Sequence, residues 1–213
     1  MSITQKLKKG AAWTLGRALP IQKNKVVFSS FYGRGASDNP KAIVDALAQR
    51  PEKLDIVWLA KDPAHAGVPD NVRVVPYDTP AAIRELSTAR VWVDNCRKGA
   101  HVKKDGQYYM QTWHGFALKR IERDVADKLN TPENAAYAEY AKRDSAQIDA
   151  IISNSTFMTE IYQKSFWYHG AVLEYGSARN DILVNPPADA KQQVQQALHL
   201  PNDCQIIMYA PTF

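Results

Sequence analysis

From Lys25 onward, short apolar and β-branched runs alternate with stretches patterned for helices, and this alternation limits the fold more than any other feature of the chain. Strand–helix–strand order is the mark of a parallel sheet covered on both faces, because each parallel crossover lays a helix over the sheet. Strands are expected at residues 25–30, 54–60, 72–77, 91–94, 108–110, 151–152 and 172–175. Helices are expected at 41–47, 81–89, 133–149 and 157–166. Ligands of such open sheets sit outside the carboxyl ends of the strands, so the residues that follow each strand are where chemistry is sought.

The 213 residues suffice for one large domain, or for one domain and the start of another. A formal charge of +5 favours an anionic partner without choosing among nucleic acid, lipid and polyphosphate. Cys96 and Cys204 are the two cysteines; their separation makes neither a disulfide framework nor a metal-ligand spacing, and a reducing cytosolic compartment is the default. No stretch approaches the ~20 apolar residues that span a bilayer, and the amino terminus lacks a secretion-signal core. A protein that stays inside the cell is expected.

Residues 2–18 carry a helical pattern, with Ile3, Leu7, Ala11, Thr14, Leu15 and Ala18 on one face and Lys6, Lys9 and Arg17 on the other. A basic interfacial helix lying on an anionic membrane has this pattern, and so does a terminal helix docked on its own domain. Pro20 is expected to end it.

The segment Gln111-Thr112-Trp113-His114-Gly115 follows the apolar run Tyr108-Tyr109-Met110 and reads as a strand delivering one histidine to a turn. Imidazole titrates near neutrality, so His114 in that place is a candidate general base toward a hydroxyl. Lys119, Arg120 and Arg123 follow; on a helix Lys119 and Arg123 share a face at i and i+4, which would set phosphate-binding charge beside the histidine. The structural alternative is an interior histidine followed by a solvated helix face. Residues 31–40 and the basic loop 97–106 are candidate contacts for a phosphate and a polyanionic acceptor, with ordinary surface loops as the alternative. The third glycine of the dinucleotide fingerprint is missing from 31–40. At residues 176–181, Gly176 frees a turn, Arg179 offers a bidentate phosphate grip, and Asn180 or Asp181 can cap a short helix through Leu183. Asn185-Pro186-Pro187 reads as a domain junction, followed by a helix at 189–198 and a strand at 205–210.

Three segments, residues 111–119, then Ile151-Ile152-Ser153-Asn154-Ser155 with Gly176-Ser177-Ala178-Arg179-Asn180-Asp181, then Tyr209-Ala210-Pro211-Thr212-Phe213, stand in an order that resembles the CDP-glycerol glycerophosphotransferase family. Members build or prime the poly(glycerol phosphate) chains of teichoic acids and related capsules. The family commonly has Thr-Pro where this chain has Phe116-Ala117, and Pro where it has Ala178. The resemblance implies an α/β fold: a Rossmann-like parallel sheet with helices on both faces, forming the amino-terminal half of a two-domain GT-B architecture. Residues 1–20 would be the membrane-surface helix, 21–185 the acceptor-side domain, and 186–213 a linker helix and the first strand of a truncated nucleotide-binding domain.

The implied reaction moves glycerol phosphate from CDP-glycerol to a hydroxyl of a polyanionic, lipid-linked acceptor and releases CMP. His114 would take the hydroxyl proton. Lys119, Arg120, Arg179, Asn180, Asp181 and Gly115 would handle phosphate, and Lys6, Lys9 and Arg17 would meet the inner face of the cell membrane. No carboxylate cluster calls for a resident metal or cofactor, although nucleotide phosphates often bring Mg²⁺ with them. Rival readings are a GT-B nucleotide-sugar glycosyltransferase and a non-catalytic acceptor- or membrane-binding fragment. Nucleic acid is not expected as a partner, since no helix-turn-helix, zinc or RNA-recognition signature is present.

Overall fold

The structure, a computed structural model, describes residues 3–98, 101–128, 131–201 and 203–210, with the side chains of residues 3–6 outside the description. It divides into two compact units, Met1–Arg179 and Asn180–Phe213.

The first unit opens with α1 (Ile3–Ala18) and continues β1 (Gln22–Ser29), α2 (Asp38–Ala48), β2 (Asp55–Ala60), β3 (Arg73–Pro76), α3 (Pro80–Thr88) and β4 (Ala89–Asp94). Then follow β5 (Tyr108–Gln111), α4 (Arg123–Ala126), α5 (Pro132–Ser145), β6 (Ala150–Ile152), α6 (Thr156–Ser165) and β7 (Ala171–Leu173). The seven strands form one sheet in the order β3-β2-β1-β4-β5-β6-β7, and every pairing is parallel. The chain winds outward from β1 to β3, returns to place β4 on β1's other side, and winds outward again. The carboxyl ends of β1 and β4 therefore flank the point where strand order reverses, the usual crevice of such sheets.

Alternation along the strands explains the two faces. Val27, Val57, Trp92, Tyr109 and Ile151 point to one side, where Leu86 of α3 and Met158 and Tyr162 of α6 close over them. Phe28, Trp58 and Val93 point to the other, where Val44 of α2 covers them. Helix starts follow the side-chain capping rule: Thr79 and Thr131, each followed by Pro, accept from the backbone N–H of Ala82 and Asn134, and Ser155 accepts from Met158. The expected helices on both faces are thus present.

In the second unit, α7 (Asp181–Val184) and α8 (Ala190–Ala197) are helical. The strand expected at 205–210 does not form there: these described residues pair with no strand, and Ile207, Met208 and Tyr209 are exposed. A strand exists only through hydrogen bonds to a neighbour, and the described residues supply none. Residues 211–213 of the terminal motif lie outside the described residues.

Candidate active site

The carboxyl end of β4 delivers Asp94 and Asn95 into the crevice, both buried. Asp94 pairs with the buried ammonium of Lys98 at 2.6 Å, and that ammonium also donates to Ser29 at the end of β1. Asn95 accepts from the Phe31 N–H at 2.9 Å and donates to Asp38 at 2.6 Å, tying the end of β4 to the loop after β1. The chain's own side chains thereby occupy part of the switch point, and the open cleft is bounded by residues that follow β1, β4 and β5.

There Gln111 fixes the turn. Its amide donates to the Cys96 carbonyl at 3.1 Å and to the Tyr109 hydroxyl at 2.9 Å, while its oxygen accepts from the Trp113 N–H at 2.9 Å. Trp113 is held in the left-handed region at φ 50°, an uncommon state for a bulky residue that clusters at functional sites. Its ring stacks on His114 with centroids 4.4 Å apart and meets Phe166 edge-on at 4.7 Å. Phe31 meets the imidazole at a tilt, with ring centroids 5.7 Å apart. Arg179 donates to the His114 carbonyl at 3.0 Å and forms an ion pair with Asp38, and its backbone N–H donates to Asn39. Burial pushes the His114 imidazole below its ordinary 6.5; Asp38 opposes that shift and Arg179 adds to it. The ring is therefore neutral near pH 7, the form that accepts a proton.

His114 borders a cleft of about 440 Å³ whose walls include Tyr32, Trp113, Arg120, Glu122 and Tyr137. In the wall itself, the buried Arg97 holds Glu122 at 2.8 Å and Asp144 at 3.2 Å, and Tyr137 donates to Glu122 at 2.6 Å. Cys96 also lines the cleft; burial and then Asp94 push its thiol up to about 11, so it stays protonated. On the opposite side of Gly115, a narrow polar niche gathers Asn39, Thr112, Asn154, Ser177 and Arg179. Segments far apart in sequence thus meet around His114 and Gly115.

Several expected site residues stand elsewhere or are already engaged. Residues 116–121 are not helical, so Lys119 and Arg123 share no helix face: α4 begins only at Arg123 and has four residues. Both Lys119 and Arg120 are exposed, and Arg120 alone of the two lines the cleft. The cations of the 97–106 loop are largely committed internally. Arg97 and Lys98 are buried against carboxylates, Lys103 pairs with Asp149, and Lys104 donates to the carbonyls of Gly16 and Leu19. The buried carboxylates Asp94, Glu122 and Asp144 require the first two of these cations as partners, which composition alone does not reveal. Arg179 spends part of its fork on Asp38 and His114. Asn180 occupies the position before α7 but makes no side-chain cap, and Asn180 and Asp181 belong to the second unit. Among the described residues no group of three or more His, Cys, Asp or Glu is placed to hold a metal ion.

Away from this cleft in the chain, α1 docks on α3. Lys9 pairs with Asp78, Trp13 packs on His101 with ring centroids 5.2 Å apart, and a Cβ on Gly16 would lie 2.3 Å from the Ser87 hydroxyl. Leu7 and Leu15 are 69% and 70% exposed, and Arg17 is exposed. The side chain of Lys6 lies outside the described residues. No helix among the described residues is long and apolar enough to cross a membrane.

The fold and site define an α/β, Rossmann-like domain with a cleft at the carboxyl ends of a parallel sheet. Residues 12–213 match the family model described as CDP-glycerol:poly(glycerophosphate) glycerophosphotransferase, and the chain belongs to that family. It is 33% identical over 198 residues to a teichoic acid poly(glycerol phosphate) polymerase of Staphylococcus epidermidis, covering 91% of this chain and 28% of that protein. It is 32% identical over 199 residues to a teichoic acid glycerol-phosphate transferase of Staphylococcus aureus, covering 90% and 50%. The solved wall teichoic acid polymerase TagF superimposes with a TM-score of 0.86 at 30% identity, over 100% of this chain and 57% of that one. A TagF variant soaked with CDPG gives a TM-score of 0.87. The chain spans half or less of the two curated relatives.

Proposed function

We propose that this chain is the acceptor-side half of an enzyme that transfers glycerol phosphate from CDP-glycerol to an acceptor hydroxyl. The observation that carries the reading is His114: a neutral imidazole on the rim of an open cleft, with its backbone held by the Arg179–Asp38 pair. Family membership supports the donor and the reaction class.

In the proposed step, an acceptor hydroxyl in the cleft gives its proton to His114 as its oxygen bonds to the β-phosphorus of CDP-glycerol. The bond from that phosphorus to the bridging oxygen breaks, and CMP leaves with the electron pair. Such transfers depend on alignment and on countering charge at the phosphoryl oxygens. Arg120 at the cleft, Lys119 on the loop beyond it and Arg179 beside Gly115 are the candidate cations. Asn180 and Asp181 keep their proposed phosphate-binding role, and residues 186–213 are proposed to begin the nucleotide-binding half of a GT-B architecture. The acceptor is proposed to be lipid-linked and met at the inner face of the cell membrane, with Leu7, Leu15 and Arg17 of α1 presented to that surface; Lys9, paired with Asp78, contributes less than its charge suggests. Replacing His114 with Ala in the complete enzyme should abolish acceptor-dependent CMP release while CDP-glycerol still binds. Normal release would end the assignment of His114 as base.

A further inference from the structure

His114, the base under the transferase reading on which this inference rests, lacks the partner that usually orients a histidine. A hydrogen bond from one ring nitrogen to a carboxylate or carbonyl normally fixes the tautomer and leaves the other nitrogen for the substrate proton. Among the described residues neither ring nitrogen of His114 makes a hydrogen bond or ion pair; only its backbone carbonyl is held, by Arg179 at 3.0 Å. The ring must therefore be oriented by packing. Trp113 stacks on it at an interplanar angle of 22° with centroids 4.4 Å apart, whereas Phe31 meets it at 47° and 5.7 Å.

Trp113 is itself clamped. Phe166 meets its ring edge-on at 4.7 Å, and the buried Arg97 guanidinium lies over the ring at 5.9 Å, a cation on a π-face. Arg97 is fixed in turn by Glu122, Asp144, Ser145 and the Ala141 carbonyl. The Trp113 backbone is left-handed at φ 50°, with its N–H donated to Gln111 and its carbonyl accepting from the Thr112 hydroxyl at 3.1 Å. Such a conformation persists only where the surroundings over-determine it, and what it delivers here is an indole laid against the imidazole.

We infer that Trp113 is the positioning residue for His114: its indole face, clamped by Arg97 and Phe166, takes the place of an orienting hydrogen bond and leaves both ring nitrogens uncommitted. The stack also keeps water from the imidazole. Burial is the largest influence on the His114 pKa and lowers it; Asp38, Glu122 and Asp94 raise it, Arg179 lowers it further, and Arg120 lines the same cleft. Taking the indole away admits water, so the pKa should rise toward 6.5.

Two substitutions separate the stack from mere bulk: Trp113→Phe keeps a flat face, and Trp113→Leu keeps apolar volume without one. In the complete enzyme, Trp113→Leu should lower kcat for acceptor-dependent CMP release about 100-fold, the scale of a misplaced reacting group, with KM for CDP-glycerol within about twofold of wild type. Trp113→Phe should recover most of that loss. In histidine NMR titration of the 213-residue chain, His114 should titrate higher in Trp113→Leu than in wild type and close to wild type in Trp113→Phe. The wild-type chain gives a reading that needs no variant: the His114 ring protons should lie upfield of those of a free histidine, moved by the indole ring current. Unshifted ring protons, an unchanged kcat and His114 pKa in Trp113→Leu, or equal losses in Trp113→Leu and Trp113→Phe would each overturn the proposal. A complete wild-type enzyme that releases no CMP contradicts the transferase reading instead, and the ring-current shift and the titration then decide the stack.

Discussion

Asp38 and Arg179, 141 residues apart, form an ion pair across the strand ends, and the same Arg179 nitrogen holds the backbone carbonyl of His114. The Asp38 side chain is 3% exposed and its backbone is left-handed at φ 64°, so the carboxylate is fixed in place before any substrate arrives. Asn95 braces its other oxygen. The loop after β1 and the turn after β7 are thus joined over the histidine.

Removing either partner should move the His114 titration in opposite directions. Asp38→Asn deletes a charge that raises the imidazole pKa, so it should fall further below 6.5; Arg179→Ala deletes one that lowers it, so it should rise. Histidine NMR titration reads both. The half-exposed Arg179 limits the stability loss of Asp38→Asn to about 1–2 kcal/mol in urea unfolding, below the cost of breaking a fully buried pair. Shifts of the same sign in both variants would place the pair away from the ring.

On the proposal that His114 acts as a base in its neutral form, kcat/KM of the complete enzyme should fall on the acid side with a midpoint below the ordinary 6.5. His114 must be unprotonated above that midpoint and is lost as acceptor below it. A midpoint at or above 6.5 would mean that the ring is more solvated, or nearer to a carboxylate, than its packing indicates.

His101 gives a separate pH signature in stability. Burial, then Lys98, push its pKa down to about 3, and its Nδ1 is sealed without a hydrogen-bond partner. The unfolded chain takes up that proton near 6.5, whereas the folded chain refuses it until about 3. Stability should therefore decline between those values as pH falls, by at most about 1.4 kcal/mol per pH unit from this group. His101→Phe, which keeps a ring against Trp13, should flatten the decline in urea unfolding; an unchanged slope would assign the acid sensitivity to other groups.

Docking of α1 depends on Gly16. Gly16→Ala sets a methyl group 2.3 Å from the Ser87 hydroxyl and should cost about 1–3 kcal/mol or detach the helix. Leu7→Glu, at a position 69% exposed, should reduce binding to anionic vesicles by opposing the exposed apolar face, and Leu15→Glu should do the same. Equal vesicle binding by wild type and Leu15→Glu would remove α1 from the membrane proposal.

The sheet was legible because Val27/Phe28, Val57/Trp58 and Trp92/Val93 alternate between two buried faces, and a parallel strand covered on both sides must read that way. His114 was legible because an apolar run leads straight into it. Asp38, Asn95 and Glu122 were not, since their roles depend on contacts spanning dozens of residues. The basic loop misled for the same reason: Arg97 and Lys98 look available until the burial of Asp144 and Asp94 is known. Lys119 and Arg123 have helical spacing, but α4 starts only at Arg123, so the pairing never forms.

The most direct test is acceptor-dependent CMP release from CDP-glycerol by the complete enzyme, wild type beside His114→Ala, with UDP-sugars as competing donors. Release of CMP that requires acceptor and disappears in His114→Ala is the expected result. Release that persists without His114, or UDP release in place of CMP, would contradict it.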